Sequence, residues 1–259
     1  MTDKTDKTDT ADRPDKAGIT DAGRRPLRVL AIAAHPDDVE LCCAGTLARY
    51  AQRGDHVTIA ILCKGNSATL DLAPEELVRV RRQEARAAAD LLGADLIQLD
   101  LADWDMPIDP ATRLLVVDAI RQARPDVVFT HYRTDYGTDH DHTYVLAHDA
   151  VLVATVPSIT TSHPAIAAVP AVFMWEPLGG YGFQPEMYVD ITDAFETKVK
   201  MLECHASQRE WLRRHGGIDF AEYIDTMAKF RGYQAGVKRA EGFVPVKSWG
   251  CLRTQGVLP

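Results

Sequence analysis

The chain is poor in the features that mark secreted, membrane-spanning or nucleic-acid-binding proteins. Its five cysteines, Cys42, Cys43, Cys63, Cys204 and Cys251, are odd in number and contain no Cys-x-x-Cys pair. That pattern speaks against a disulfide framework and a cysteine-rich metal site, and the thiols are expected to be reduced and mostly buried. No stretch approaches the roughly 20 apolar residues of a membrane span. The N-terminus lacks the apolar core of a signal peptide, so a cytoplasmic location is expected. Basic excess is missing as well: 29 Lys and Arg face 37 Asp and Glu, for a net charge of -8. That is the wrong sign for a nucleic-acid footprint. Nor does a Gly-x-Gly-x-x-Gly turn follow the first apolar run, which removes the main support for dinucleotide binding.

What is there suits one globular body. With 259 residues, 46% of them hydrophobic, the chain can bury a single large α/β core. Residues 1–25 stand apart, because they repeat Thr-Asp-Lys with almost no apolar side chains and cannot offset the entropy of ordering. They are expected to be a disordered tail. Six acids and six bases cancel within the tail, so the whole net charge belongs to residues 26–259, read as one domain.

Apolar periodicity divides that domain. Leu27–Ala34 reads as a buried strand, Val39–Arg53 as a helix ended by Gly54, and His56–Cys63 as a second strand. Pro74 opens a helix running to Leu92, Asp95–Leu99 is a third strand, Pro110–Ala123 a helix, and Asp126–Thr130 a fourth strand. A helix is expected from after Asp141 to about Thr155, short strands at Ala171–Trp175 and Met187–Ile191, and one long helix from Thr192 to Arg214. The alternation predicts an α/β domain with a parallel sheet and right-handed crossovers, the later elements forming a C-terminal capping region.

Chemistry concentrates at two strand ends. His35-Pro36-Asp37-Asp38-Val39-Glu40 directly follows the first strand, where open α/β sheets build their sites. His35 and Asp38, three apart in a tight turn, can hold one side of a divalent metal, leaving Asp37 free to act on a water bound there. An ordinary acidic helix N-cap is the competing reading. After the fourth strand, residues 131–142 hold His131, His140 and His142 together with Asp135, Asp139 and Asp141. Taken singly, each histidine reads as a surface or capping residue. Clustered opposite the His-x-x-Asp turn, these groups are costly unless something cationic pairs with them, and they offer a third ligand.

The His-Pro-Asp-Asp turn, the later Asp139-His140, and Phe195-Glu196-x-Lys198 leading to Cys204-His205-Ala206-Ser207-Gln208 resemble the PIG-L (LmbE-like) zinc-dependent N-deacetylases, from about Leu27 to Phe243. Asp135-Tyr136-Gly137-Thr138-Asp139-His140 and Ala240-Glu241-Gly242-Phe243 match a subgroup of that family. The resemblance implies a Rossmann-like sheet with helices on both faces. It also implies one Zn2+ held by His35, Asp38 and His140, with Asp37 as general base; two imidazoles and a carboxylate also suit Fe2+. The implied reaction is removal of an acetyl or other acyl group from an N-acetylglucosamine-type small molecule. The implied partner is thus a small amino-sugar substrate, with no nucleic acid and no membrane, and self-association is left open. The alternatives are a zinc-dependent hydratase of an unsaturated carboxylate and a non-catalytic metal-dependent sugar-binding protein.

Some roles stay open at this point. Many relatives carry a histidine that assists the oxyanion or the leaving amine three residues before the ligand, where this chain has Gly137. His142 and His205 are the candidates for that task, with His131 behind them. His142 is also the alternative third ligand, but residues 140 and 142 of a regular helix point about 200° apart, and only His140 aligns with the subgroup without a gap. Arg81 matches a substrate-binding arginine of the family, or pairs with Glu84 along its helix. Trp104, Trp175 and Tyr181 are either sugar-stacking platforms or structural anchors. Glu40 is expected to orient the motif turn or a ligand through a hydrogen bond.

Overall fold

A computed structural model describes residues 24–69, 71–251 and 257–259. Nearly all of the tail expected to be disordered lies outside the described residues. Its last two members, Arg24 and Arg25, pair with Asp55 and Asp126 at the start of the domain.

The first strand, β1 (Arg28–Ala33), is followed by two short helices, α1 (Asp38–Cys42) and α2 (Ala44–Gln52), then β2 (His56–Cys63), α3 (Pro74–Asp90), β3 (Asp95–Leu101), α4 (Pro110–Ala123), β4 (Val127–Thr130), α5 (Thr138–Val153) and β5 (Ala171–Trp175). The chain continues through β6 (Met187–Asp190), α6 (Phe195–Glu203), α7 (Ala206–Gly216), α8 (Phe220–Ala235) and β7 (Ala240–Pro245). Among the described residues these strands form one seven-stranded sheet in the order β3-β2-β1-β4-β5-β7-β6. β1 to β5 pair in parallel, while β7 runs antiparallel to both β5 and β6. The domain is therefore the α/β, mostly parallel, Rossmann-like body expected. Its C-terminal region does more than cap it, since β7 and β6 extend the sheet.

β1 explains why both faces are covered. Val29, Ala31 and Ala33 pack into a core shared with α2, α6 and α8, including Leu47, Met201 and Ile224. Leu30 and Ile32 face the opposite core, shared with α4 and α5 through Val117, Ile120, Leu146 and Ala150. A strand buried on both sides must be apolar throughout, which is why it reads as a continuous run rather than an alternation.

Two helices expected to be continuous are each broken, and in both cases a distant glutamate caps the new end. The Val39–Arg53 stretch breaks at Cys43, and the freed N–H groups of Gly45 and Thr46 donate to the Glu241 carboxylate at 3.1 and 2.7 Å, with the Thr46 hydroxyl at 2.6 Å. The Thr192–Arg214 stretch breaks at Cys204-His205, and the first turn of α7 is held by Glu84, which accepts from the Ser207 N–H at 2.8 Å and its hydroxyl at 2.6 Å. A carboxylate at a helix N-terminus satisfies orphan N–H donors and opposes the helix dipole. Glu84 is thereby spent, so the helical Arg81–Glu84 pair is not what holds either residue.

Glu241 also meets the ammonium of Lys198 at 2.5 Å, and that ammonium donates to the Leu41 carbonyl at 3.0 Å. All three of Thr46, Lys198 and Glu241 are buried. The Phe-Glu-x-Lys and Ala-Glu-Gly-Phe segments are thus two halves of one buried ion pair that fixes α1, α2, α6 and β7 together. Gly242 follows because a Cβ there would lie 2.9 Å from Pro185 Cβ. Replacing Glu241 by Ala leaves a buried ammonium unpaired and should lower unfolding free energy by about 3–5 kcal/mol. The Lys198→Met, Glu241→Gln double variant should recover most of that loss. Urea denaturation of the three proteins tests this, and a single variant as stable as the parent would refute the structural role.

Candidate active site

The order of strands reverses at β1, which has β2 on one side and β4 on the other. Connections leaving β1 and β4 diverge, and open α/β sheets hold their ligands in the resulting crevice. His35 leaves β1 here, and the loop that carries His131 and Asp135 leaves β4. The expected helix after Asp141 begins earlier, at Thr138, so Asp139 and His140 lie in its first turn and project back over the crevice.

Among the described residues, three sets bring one potential ligand atom each to within 4.8 Å of one another: His35, Asp38 and His140; His131, Asp135 and His140; and His35, Cys63 and Asp139. Hydrogen bonding distinguishes them. His35 Nε2 lies 3.0 Å from Asp139 Oδ2, and His140 Nδ1 lies 2.8 Å from Asp135 Oδ2. An imidazole N–H donating to each carboxylate leaves the opposite nitrogen with its lone pair. Those two nitrogens, His35 Nδ1 and His140 Nε2, face each other at 3.3 Å. Asp38 adds oxygens 3.7 Å from the first and 3.4 Å from the second. Two lone pairs and a carboxylate pointing at one another repel unless a cation sits between them. The donor set of the first group therefore fits a divalent ion, with Asp135 and Asp139 as the carboxylates that fix the two imidazoles. Charge agrees with this. Burial alone would lower the His140 pKa, but Asp38 and Asp135 outweigh it and push the ring up to about 9. Burial raises the Asp38 carboxyl, yet His140 and His131 hold it well below the usual carboxylate range.

Asp37 lies beside this group in a strained backbone, φ 109°, a region that non-glycine residues occupy at a cost of order 1–3 kcal/mol. Arg81 holds it there. One guanidinium nitrogen donates to Asp37 Oδ1 at 3.0 Å and also to the Pro36 carbonyl. Burial is the main force on the Asp37 carboxyl and raises its pKa, Arg81 opposing and Asp38 assisting. The arginine needs room, and a Cβ on Gly65, which has φ +74°, would come within 2.8 Å of Arg81 Cδ and Nε.

A cleft of about 580 Å³ opens above these groups, lined by His35, Asp37, Asp38, Arg81 and the ends of five loops, with α7 and α8 closing one side. Trp104 and Tyr181 line it and are largely exposed, as a stacking platform would be. Trp175 is completely buried, edge-on to His131 at 4.8 Å, and is a core anchor. Gly137 stands beside Trp104: a Cβ there would meet the indole at 3.7 Å, so the tryptophan fills space toward which a larger residue would point.

The three histidines considered for assistance stand off the cleft. His142 turns away and pairs through Nδ1 with the Met106 carbonyl at 2.8 Å. His131 is wholly buried, its Nε2 accepting from the Ala34 N–H at 3.0 Å. His205 is wholly buried as well, 3.4 Å from Glu40, so Glu40 meets that ring rather than a member of the convergent group. None of the three lines the cleft. His215, one residue past the expected Thr192–Arg214 helix and given no role by the sequence, does line it, stacked on Trp211 with centroids 4.3 Å apart. Asp135, which the sequence places in the acid and imidazole cluster, gains its role as the His140 partner only here. Its signal was the first Asp of the Asp-Tyr-x-x-Asp-His segment, which no single spacing rule marks as a histidine partner.

Known proteins resemble this chain in sequence and fold. The family model for PIG-L, GlcNAc-PI de-N-acetylase, matches residues 30–151. The chain is 30% identical over 230 residues to a diacetylchitobiose deacetylase of Thermococcus kodakarensis, covering 84% of this chain and 83% of that one. It is 28% identical over 230 residues to a 4-oxalmesaconate hydratase of Pseudomonas putida, covering 85% and 84%. Among solved structures, the N,N'-diacetylchitobiose deacetylase of Pyrococcus horikoshii superposes with a TM-score of 0.74 at 27% identity, covering 84% of this chain and 83% of that one. The 4-carboxy-2-hydroxymuconate hydratase of Pseudomonas putida superposes with 0.75 at 26%, covering 89% and 99%. No helix among the described residues is long and apolar enough to cross a membrane. Sequence, fold and the strand-end residues agree, and the chain belongs to the PIG-L family.

Proposed function

We propose that this protein is a metal-dependent amidohydrolase that removes an acyl group, acetyl first among them, from the nitrogen of an amino-sugar-type small molecule. The observation that carries this reading is a carboxylate, Asp37, held by Arg81 at the cleft wall next to three donors whose free electron pairs converge. His35, Asp38 and His140 would hold the ion, zinc being the first choice and ferrous iron also compatible with two imidazoles and a carboxylate. When bound, it would polarise the acyl carbonyl and make nearby water more acidic. Asp37 then takes a proton from the attacking water as the water oxygen bonds to the acyl carbon. The C–N bond breaks, and the same carboxyl returns the proton to the departing nitrogen, leaving a carboxylate and a free amine.

Assistance at the carbonyl oxygen falls to none of His131, His142 or His205, which lie off the cleft. Tyr136 lines it, with its ring edge-on to His140 at 4.7 Å, and its phenol is the hydroxyl we assign to that oxygen. Tyr136→Phe should lower kcat by about 10²–10³-fold with little effect on metal content. A kcat within twofold of the parent removes Tyr136 from the mechanism.

The likeness to hydratases favours a second reading, addition of water across the double bond of an unsaturated carboxylate. Such a substrate needs cations to meet its carboxylates. Among the described residues of the cleft wall the one Lys or Arg is Arg81, already engaged by Asp37 and Pro36, which weighs for the amide. Incubation with N-acetylated amino sugars should release acetate and amine in equal amounts. Hydration of an unsaturated dicarboxylate without any amine release would replace the first reading by the second.

The roles of neighbouring residues separate by metal titration. His35→Ala and His140→Ala should abolish tight metal binding, and Asp135→Asn should weaken it about 10–100-fold by freeing the His140 ring. His142→Ala should leave it intact, and Asp37→Asn should keep the ion while losing about 10²–10⁴-fold in rate. Retention of metal by His140→Ala together with its loss from His142→Ala would move the ligand to His142.

A further inference from the structure

The wall of the cleft away from His35 and Asp38 is built by the elbow between α7 and α8. α7 is closed by Gly217, φ 65°, and Trp211, Leu212, Ile218, Phe220 and Tyr223 line the cleft together with Leu178 of the loop after β5. Ile218 is 44% exposed although it carries no polar atom in its side chain. Several of the polar groups that reach this part of the cleft each have one atom bonded within the protein. Gln208 donates through its amide nitrogen to the Ala68 carbonyl at 3.1 Å. The Tyr223 hydroxyl accepts from the Gly179 N–H at 2.9 Å. The Asp103 carboxylate accepts from Gly65 and Ser67 at 2.8 and 3.1 Å, and the His215 ring lies flat against Trp211, covering one carbon face of each.

A ligand extending from the reactive end toward the elbow thus meets mainly carbon faces and no free Lys or Arg among the described residues. Sugar hydroxyls buried there would go unpaired at a cost, whereas an apolar group gains by burial and stacking. The geometry points to a second subsite, formed by the α7–α8 elbow, that takes an uncharged apolar or aromatic group attached to the substrate beside its amide. This deepens, and rests on, the amidohydrolase reading. The group is either the aglycone on the amine side or a long acyl chain, which share the same recognition chemistry.

Binding tests the subsite without requiring turnover. Neither methyl nor phenyl β-glucoside carries an amide, so their affinities measured by calorimetry on the metal-loaded protein are independent of the reaction. Phenyl should bind at least tenfold more tightly than methyl, the scale on which an apolar pocket discriminates. Ile218→Ser should shrink that ratio several-fold and Ile218→Leu should keep it. Because Ile218 is partly exposed, neither change threatens the fold. Equal affinities, a ratio indifferent to Ile218→Ser, or a cleft closed to both glycosides by a second copy at the working concentration, seen by sedimentation, would each overturn the subsite. Turnover of N-acetylglucosamine, its phenyl glycoside and an N-hexanoyl analogue then assigns the side. Raised kcat/KM for the phenyl glycoside places the group on the amine side, raised kcat/KM for the hexanoyl analogue on the acyl side, and a gain for neither overturns the proposal. If no amide is cleaved at all, the hydrolase reading fails while the glycoside affinities still decide the subsite.

Discussion

A parallel sheet can open a crevice only where its strand order reverses, and here that place is the junction between β1 and β4. The five-residue run from Val29 to Ala33 must be apolar on both faces to sit at the centre of the sheet, so the first residues free to carry charge are those just past its end. His35, Asp37 and Asp38 occupy that position. The same geometry governs β4, which ends at Thr130 and releases the loop that leads to α5. Cleft, convergent imidazoles and acidic residues are consequences of one topological fact.

Concentrating carboxylates at a buried strand end is expensive, and the fold distributes the compensation unequally. Arg81 neutralises Asp37. Asp135 and Asp139 are balanced by imidazole N–H groups, and Asp38 accepts from the His35 N–H at 2.7 Å. What remains unbalanced is the space between His35, Asp38 and His140. A cation there would satisfy the converging donors, which couples ion affinity to stability in the sense of ordinary linkage. Strain at Asp37 belongs to the same account, because its left-handed backbone persists only while Arg81 grips both the side chain and the preceding carbonyl.

Strands were legible where burial was two-sided or lengths were short, and β1, β2, β4 and β5 lie within a residue or two of expectation. Helix continuity was not legible. The periodicity of Val39–Arg53 and Thr192–Arg214 is unbroken because the caps that end and restart these helices, Glu241 and Glu84, come from about 195 and 123 residues away in sequence. Local pattern cannot register a partner at that distance. α8 and β7 were missed for a related reason: α8 keeps one narrow buried stripe, and β7 contains Glu241 and Gly242, which read as loop residues until the ion pair and Pro185 are in place. At the site, the His-Pro-Asp-Asp turn and His140 stood out from spacing and resemblance together. The partners of the histidines, the engagement of Arg81 with Asp37 and the withdrawal of His142 required the folded chain, since each depends on which way one ring or guanidinium turns.

Gly65 lies in the loop after β2 and has no chemistry of its own. Yet the volume its missing side chain leaves is occupied by the Arg81 stem, so the arginine's grip on Asp37 is bounded by a backbone atom rather than by another side chain. At this one position any added carbon displaces the arginine. A residue outside the cleft lining thereby sets the position of the carboxylate proposed to take the proton.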